Sequence, residues 1–218
     1  MAELARRMEF PAPDGAGELV DLRFRRLVGE EAWGQLPAAV QKRFSKRLAG
    51  EAVALYRGRI IGARRNPWGW LLAQALRLVG APLPLSMDKD VAAVVSVSED
   101  ARCGGQVWSR LYARRDAFPQ VIHSAKRFAG PSGLEEYVGR GIGMALKVEA
   151  FAEGLRFVSD HYFLKVLGRR WRLPRWMAPG RCVVVHHDRG DGAFLFSLSL
   201  IHPLFGELIW QQGEFRDA

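Results

Sequence analysis

The chain has 218 residues, 49% apolar and 25% charged, which suits one ordinary domain with a buried core and excludes a disordered or low-complexity chain. Its net charge of +9 and pI near 10.1 admit nucleic acid, an anionic membrane surface or an anionic ligand, and an Arg-rich proteome of a high-GC bacterium yields the same balance with no such partner. Two cysteines, Cys103 and Cys182, without C-x-x-C spacing, exclude a disulfide framework and indicate free thiols in a reducing compartment.

Residues 1–18 read as a flexible leader, because Pro11, Pro13, Gly15 and Gly17 disfavour regular structure; residues 19–218 read as a single β-rich domain. No signal-peptide core is visible, and the least charged stretch, 66–87, is broken by Arg77, Gly80, Pro82 and Pro84. A membrane-spanning helix needs about 20 apolar residues, so the expectation is a soluble, cytoplasmic protein.

Asp21 to Val28 predicts a short helix ended by Gly29, the residue type suited to a left-handed cap. A second helix is predicted from Leu36-Pro37 through AAVQKRFSKRL, with Val40, Phe44 and Leu48 on one stripe and Lys42, Arg43, Lys46 and Arg47 on the solvated face. Residues 51–65 read as a strand. Asn66 is then a plausible N-cap and Pro67 a good first residue of a third helix, whose stripe is Trp68, Leu71, Leu72, Ala75, Leu76 and Val79. That stripe reads either as a core-packing face or as a lid over an apolar cavity. Residues 81–85 must be extended around their prolines.

From Val91 onward the pattern is strands: 91–99, 105–115, 120–129, 143–150, 154–167, 181–188, 193–202 and 207–212, with a weaker one near 134–139. Glycine-rich turns separate most of them, and no helical pattern intervenes, which means antiparallel meandering rather than βαβ crossovers. The expected fold is α+β and β-dominated: an antiparallel β-barrel or strongly curved half-barrel of about 8–10 strands, with two or three helices near the N-terminus plugging one end.

Alternation sorts the strand faces. In 105–115, Trp108, Arg110, Tyr112 and Arg114 share one face and Val107, Ser109, Leu111 and Ala113 the other. In 154–167, Leu155, Phe157, Ser159, His161, Phe163 and Lys165 share one face, with Arg156, Val158, Asp160, Tyr162 and Leu164 opposite. Strands apolar on both faces suit a closed sheet with an interior, so Trp108, Arg110, Tyr112, His123, His161 and His202 are candidate ligand-binding residues.

The segments FRRLVGEEAWGQLPAAV (24–40), ALYRGR (54–59), GAPLPL (80–85) and QVWSRLY (106–112) form a recognisable order. GLRFVSDHYFLKVLG (154–168), RWRLPRWMAP (170–179) and FLFSLSLIHPLFGELIWQQGEF (194–215) continue it. In this order the chain resembles the bacterial family known as domain of unknown function 4166, over about residues 20–216. Domains of that family occur alone or fused behind a saccharopine-dehydrogenase-like Rossmann module, so the resemblance implies a reductase-like protein as a candidate partner. Such a module is missing here: Gly139 to Gly143 opens no helix and is no G-x-G-x-x-G fingerprint. Family members often carry a histidine shortly after L-P-x-x-V, where this chain has Phe44. The resemblance carries over no catalytic residue.

The remaining motifs are thin. The histidines are His123, His161, His186, His187 and His202; none has metal-ligand spacing, so no metal and no cofactor is predicted. Ser124 lacks an activating pattern, and the acid pairs Glu135-Glu136 and Asp188-Asp191 read as solvated carboxylates in turns. Nucleic-acid-binding motifs are missing too, and the basic residues are spread along the chain. The connector 168–177 concentrates Arg170, Trp171, Arg172, Arg175 and Trp176, which suits a membrane headgroup or anion contact, or else a loop held down by cation–π packing. The leading expectation is a non-catalytic binding domain for an apolar or amphipathic small molecule. The alternatives are an enzyme working with a reductase-like partner, and a structural interaction module.

Overall fold

The computed structural model describes residues 20–78, 80 and 83–217. The expected leader and Val79 lie outside them. Three short helices come first: α1 (Arg23–Val28), α2 (Glu30–Gly34) and α3 (Ala38–Phe44). Strand β1 (Ala54–Arg65) leads into α4 (Pro67–Leu78), and β2 (Val91–Asp100), β3 (Gly105–Tyr112) and β4 (Gln120–Arg127) follow. The three-residue β5 (Glu135–Tyr137) precedes the long hairpin of β6 (Ile142–Phe151) and β7 (Gly154–Val166). Short β8 (Arg169–Arg172) comes next, then β9 (Arg181–Gly190), β10 (Ala193–His202) and β11 (Gly206–Asp217).

Every pairing is antiparallel. The order β6-β5-β4-β3-β2-β1-β11-β10-β9-β7 closes through a β6–β7 pairing into a ten-stranded barrel, with β8 on the outer half of β7. Closure joins the first and last strands: β1 pairs β11 from Tyr56↔Asp217 to Arg65↔Ile209. Closing the sheet gives every barrel strand a neighbour on both sides over at least part of its length, which limits the open edges that a meander of this many strands would otherwise expose. Gly58 lies in this seam, where a Cβ would run into the Glu214 carbonyl.

The turns fall at two ends. At one, α1 to α3 form a plug: Phe24, Trp33, Leu36, Val40 and Phe44 are buried and share a core with Leu146, Leu155 and Phe157. Phe24 meets Phe44, Phe128 and Phe157 edge-on at 5.3, 5.0 and 6.1 Å. Helix α1 ends at Gly29, whose φ of 91° is open to glycine at little cost. The second predicted helix is shorter than its pattern suggests. It stops at Ser45, and Lys46 bridges Val20, so Leu48 leaves the Val40–Phe44 stripe.

At the other end α4 lies beside the barrel mouth. Asn66 Oδ1 accepts the Gly69 amide at 2.8 Å, the expected N-cap bond. The helix is rotated from its expected face, however: Gly69 and Ala73 are buried, whereas Trp68 and Leu71 are each 51% exposed. Contact, not periodicity, sets this face. A Cβ at Gly69 would run into the Leu208 carbonyl, so only the glycine side can seat against β11.

Candidate functional site

The barrel encloses a cavity of about 300 Å³, at the small end of the range of roughly 300–1,000 Å³ typical of ligand pockets. Its wall is mostly apolar. Ile122, Met144, Leu198 and Leu200 come from the strands, Leu72 and Leu76 from α4, and Leu83, Leu173 and Met177 from the mouth loops. A second chamber of about 30 Å³ lies toward the plug, lined by Phe44, Trp108, Lys126 and His186 among others; the two share Val184 and Phe196.

Alternation along β3, β4 and β5 brings charge into this interior. The β3–β4 register pairs Gln106 with Lys126, Trp108 with Ser124 and Arg110 with Ile122, so all six project to one side. On β5 the same rule turns Glu136 inward, opposite Lys126. Lys126 Nζ lies 3.2 Å from Glu136 Oε1, and Arg110 Nη2 lies 3.7 Å from the same oxygen. Arg110 Nη1 donates to Ser124 Oγ at 3.1 Å. The Lys126 ammonium stands 4.7 Å from the Trp108 ring, and Trp108 Nε1 donates to Gln106 at 3.2 Å.

The charges perturb one another. Burial pulls the Lys126 ammonium down, and Glu136 opposes it only in part. Burial alone would raise Glu136, but the Lys126 and Arg110 charges outweigh it and hold its carboxyl below the usual range. The Cys182 thiol, also on the cavity wall, is pushed up to about 12, by burial first and then by Glu136; that leaves a protonated, weakly nucleophilic thiol.

Among the residues expected to bind a ligand, Arg110 and Tyr112 line the large cavity and Trp108 the small one. His123 touches the cavity wall, but its ring faces outward, with Nδ1 2.8 Å from Ser109 Oγ. His161 lies outside the barrel. In the β6–β7 pairing Ala145 faces His161 and Leu146 faces Ser159, so Asp160 is an extra residue. That bulge reverses the alternation beyond it: Tyr162 joins Leu155 and Phe157 inside, while His161 and Phe163 turn out. His161 Nδ1 instead pairs with Asp160 at 2.8 Å. His202 sits in the β10–β11 hairpin at the mouth, stacked on Phe205 at 4.7 Å, with Nδ1 accepting the Leu204 amide at 3.1 Å. Phe205 in turn stacks on Trp68 at 4.4 Å, and its carbonyl accepts from Asn66 Nδ2 at 2.8 Å, so the hairpin anchors the start of α4.

Two expectations about charged segments are corrected. Glu135 and Glu136 are not solvated turn residues but 1% and 4% exposed members of β5. Glu136 is inside; Glu135 is outside, held under Arg170 at 2.9 Å and bonded by the Tyr137 hydroxyl at 2.9 Å. The connector 168–177 contains β8, paired to β7 from Phe163↔Arg172 to Val166↔Arg169. Arg170 is spent on Glu135, Arg172 is exposed on β8 and Arg175 opens a short 3-10 turn. Trp171 and Trp176 are 61% and 81% exposed rather than packed beneath arginines.

Sequence reasoning missed Lys126, Glu136, Ser124, Tyr162 and Cys182. The usable signal was alternation: Lys126 shares its face with Ile122, an apolar position on an inward-facing strand. It missed a second buried group as well. His186 is 3% exposed, stacked on Phe194 at 4.5 Å, with Nε2 3.2 Å from Arg43 Nη1 and Nδ1 without a partner among the described residues. Burial and the Arg43 charge lower its imidazole to about 3, so the ring is neutral at ordinary pH. Phe44 packs 5.1 Å from that ring and is a core residue of the plug. Among the described residues no group of three or more His, Cys, Asp or Glu is placed to hold a metal ion.

These features define a closed antiparallel β-barrel domain, plugged at one end and enclosing an apolar cavity with a small charged cluster, an arrangement compatible with a binding domain. The chain belongs to the family described as Domain of unknown function (DUF4166), whose model matches residues 36–215, from just before α3 to near the end of β11. No curated protein and no solved structure matches it. No helix among the described residues is long and apolar enough to cross a membrane.

Proposed function

We propose that this domain binds an amphipathic small molecule inside the barrel. The observation that carries the reading is the cavity of about 300 Å³, apolar over most of its wall and polar at Arg110, Ser124 and Glu136. Ligand pockets have this composition: apolar surface supplies affinity, and a few placed polar groups fix orientation. Leu72 and Leu76 of α4, with Leu173 and Met177 opposite, would cover the bound molecule at the mouth.

Titration with a dansylated undecanoic acid tests the reading. Saturable binding is expected, with one site per chain and a blue-shifted dansyl emission. Leu198→Trp puts an indole into the cavity, and is expected to weaken binding at least tenfold while the circular-dichroism spectrum is unchanged. Absence of saturable binding, or equal binding by Leu198→Trp, would count against an interior site.

A further inference from the structure

Around Glu136 in the barrel interior, two cations face one anion. Arg110 and Lys126 are 8% and 3% exposed, and the acid they face is Glu136. Lys126 is the closer partner; Arg110 Nη2 stands at 3.7 Å, beyond hydrogen-bond reach. A guanidinium carries five N–H donors in a planar fork, of which Ser124 accepts one at 3.1 Å. Arg110 lines the large cavity. A buried cation without a full complement of acceptors is costly, and an anion placed against it removes much of that cost. Carboxylates match the fork with two parallel bonds.

Resting on the reading of the cavity as a ligand site, we infer that its ligand is a monocarboxylate with an apolar tail. Its carboxylate is held by Arg110 beside Ser124, and its tail runs past Ile122, Leu198 and Leu200 toward Leu72 and Leu76. One unmatched positive charge suits a monoanion better than a phosphate dianion. Glu136 repels a second negative charge and keeps Lys126 occupied.

Competition of dodecanoate, dodecanol and dodecyl phosphate against the dansylated probe, each below its micelle concentration, tests this. Dodecanoate is expected to bind about tenfold to a hundredfold more tightly than dodecanol, the range for hydrogen bonds to charged groups. In Arg110→Met the two should come within about threefold, with dodecanol unchanged, which also shows that the variant is folded. The wild-type ratio decides the matter even if that variant does not fold. Equal affinities for acid and alcohol, or a preference for dodecyl phosphate, overturn the carboxylate assignment and leave the cavity reading standing. Binding of none of the three overturns both.

A different observation carries a second proposal. Every exposed Trp and Phe among the described residues lies at the mouth end: Trp68, Trp70, Phe118, Trp171, Trp176 and Phe205. Leu78, Leu167 and Leu204, 81%, 98% and 82% exposed, are there too. Across the segments of that end (64–90, 113–119, 138–141, 165–181 and 202–207) the acids are Asp88, Asp90, Asp116 and Glu207, against thirteen Lys and Arg. Trp with interspersed Arg is the composition of a headgroup-level contact, and each basic side chain near an anionic bilayer adds roughly fivefold in affinity. We propose that the mouth end docks on an anionic lipid bilayer, which would deliver an amphipathic molecule directly to the opening.

Sedimentation with phosphatidylcholine vesicles, with and without phosphatidylglycerol, tests it. Binding is expected to the anionic vesicles only, to fall with salt, and to drop at least tenfold in the double variant Trp171→Ser, Trp176→Ser. Failure to bind anionic vesicles, or binding indifferent to that double variant, overturns the proposal.

Discussion

At the plug end of the barrel Phe24, Val40 and Phe44 are at most 5% exposed and close the interior with interlocking aromatic edges; at the mouth Trp176, Leu167 and Phe118 are at least 81% exposed. The plug contributes its large residues to the core, whereas the mouth withholds its own from it. The proposed bilayer contact rests on these exposed apolar side chains being gathered at one end. The contrast separates residues that hold the barrel shut from residues available to a ligand or a surface.

Substitutions at the two ends should therefore differ sharply. Phe24→Ala, at 0% exposure and with three aromatic neighbours, is expected to cost about 3–5 kcal/mol in chemical denaturation. A cost below about 1 kcal/mol would mean that the plug is not part of the core. Beside the plug, His186 should make stability depend on pH. Its folded-state value is depressed to about 3, so the unfolded chain takes up the proton first, near its ordinary value of about 6.5. Stability should fall as pH drops through the window between those values, by up to roughly 1.4 kcal/mol per pH unit. Thermal melts from pH 7 to pH 4 should show the decline, and His186→Gln should flatten it.

At the mouth the seat of α4 is the exception that sharpens the comparison. Gly69→Ala forces a methyl against the Leu208 carbonyl and is expected to cost about 1–3 kcal/mol, with faster hydrogen exchange in α4. Trp176→Ser should stay within about 0.5 kcal/mol of wild type in the same denaturation. If it costs as much as Phe24→Ala, the mouth aromatics are structural and the contrast fails.

Much of the fold was legible because strand periodicity and turn chemistry are local. Turns such as Cys103-Gly104-Gly105 bound the strands, and Ala193–His202 begins and ends where its alternation does. Less of the site was legible. The face shared by Trp108, Arg110 and Tyr112 could be grouped from sequence, but its direction required the closed barrel. Strict alternation groups His161 with Leu155 and Phe157 and has no way to foresee the extra residue at Asp160. The weak strand pattern near 134–139 does not reveal that Glu136 is buried, because only the pairing of β4 and β6 on either side of β5 turns it into the interior.

By itself the sequence determined an antiparallel, β-dominated chain with its helices mostly ahead of the strands, since residue order, spacing and turn type act over a few neighbours. Only the tertiary structure decided that the sheet closes, that Arg110, Lys126 and Glu136 meet inside it, and that α4 turns Gly69 inward and leaves Trp68 and Leu71 outside. These depend on register between strands far apart in the chain and on which surfaces can approach. A short-range pattern does not encode them.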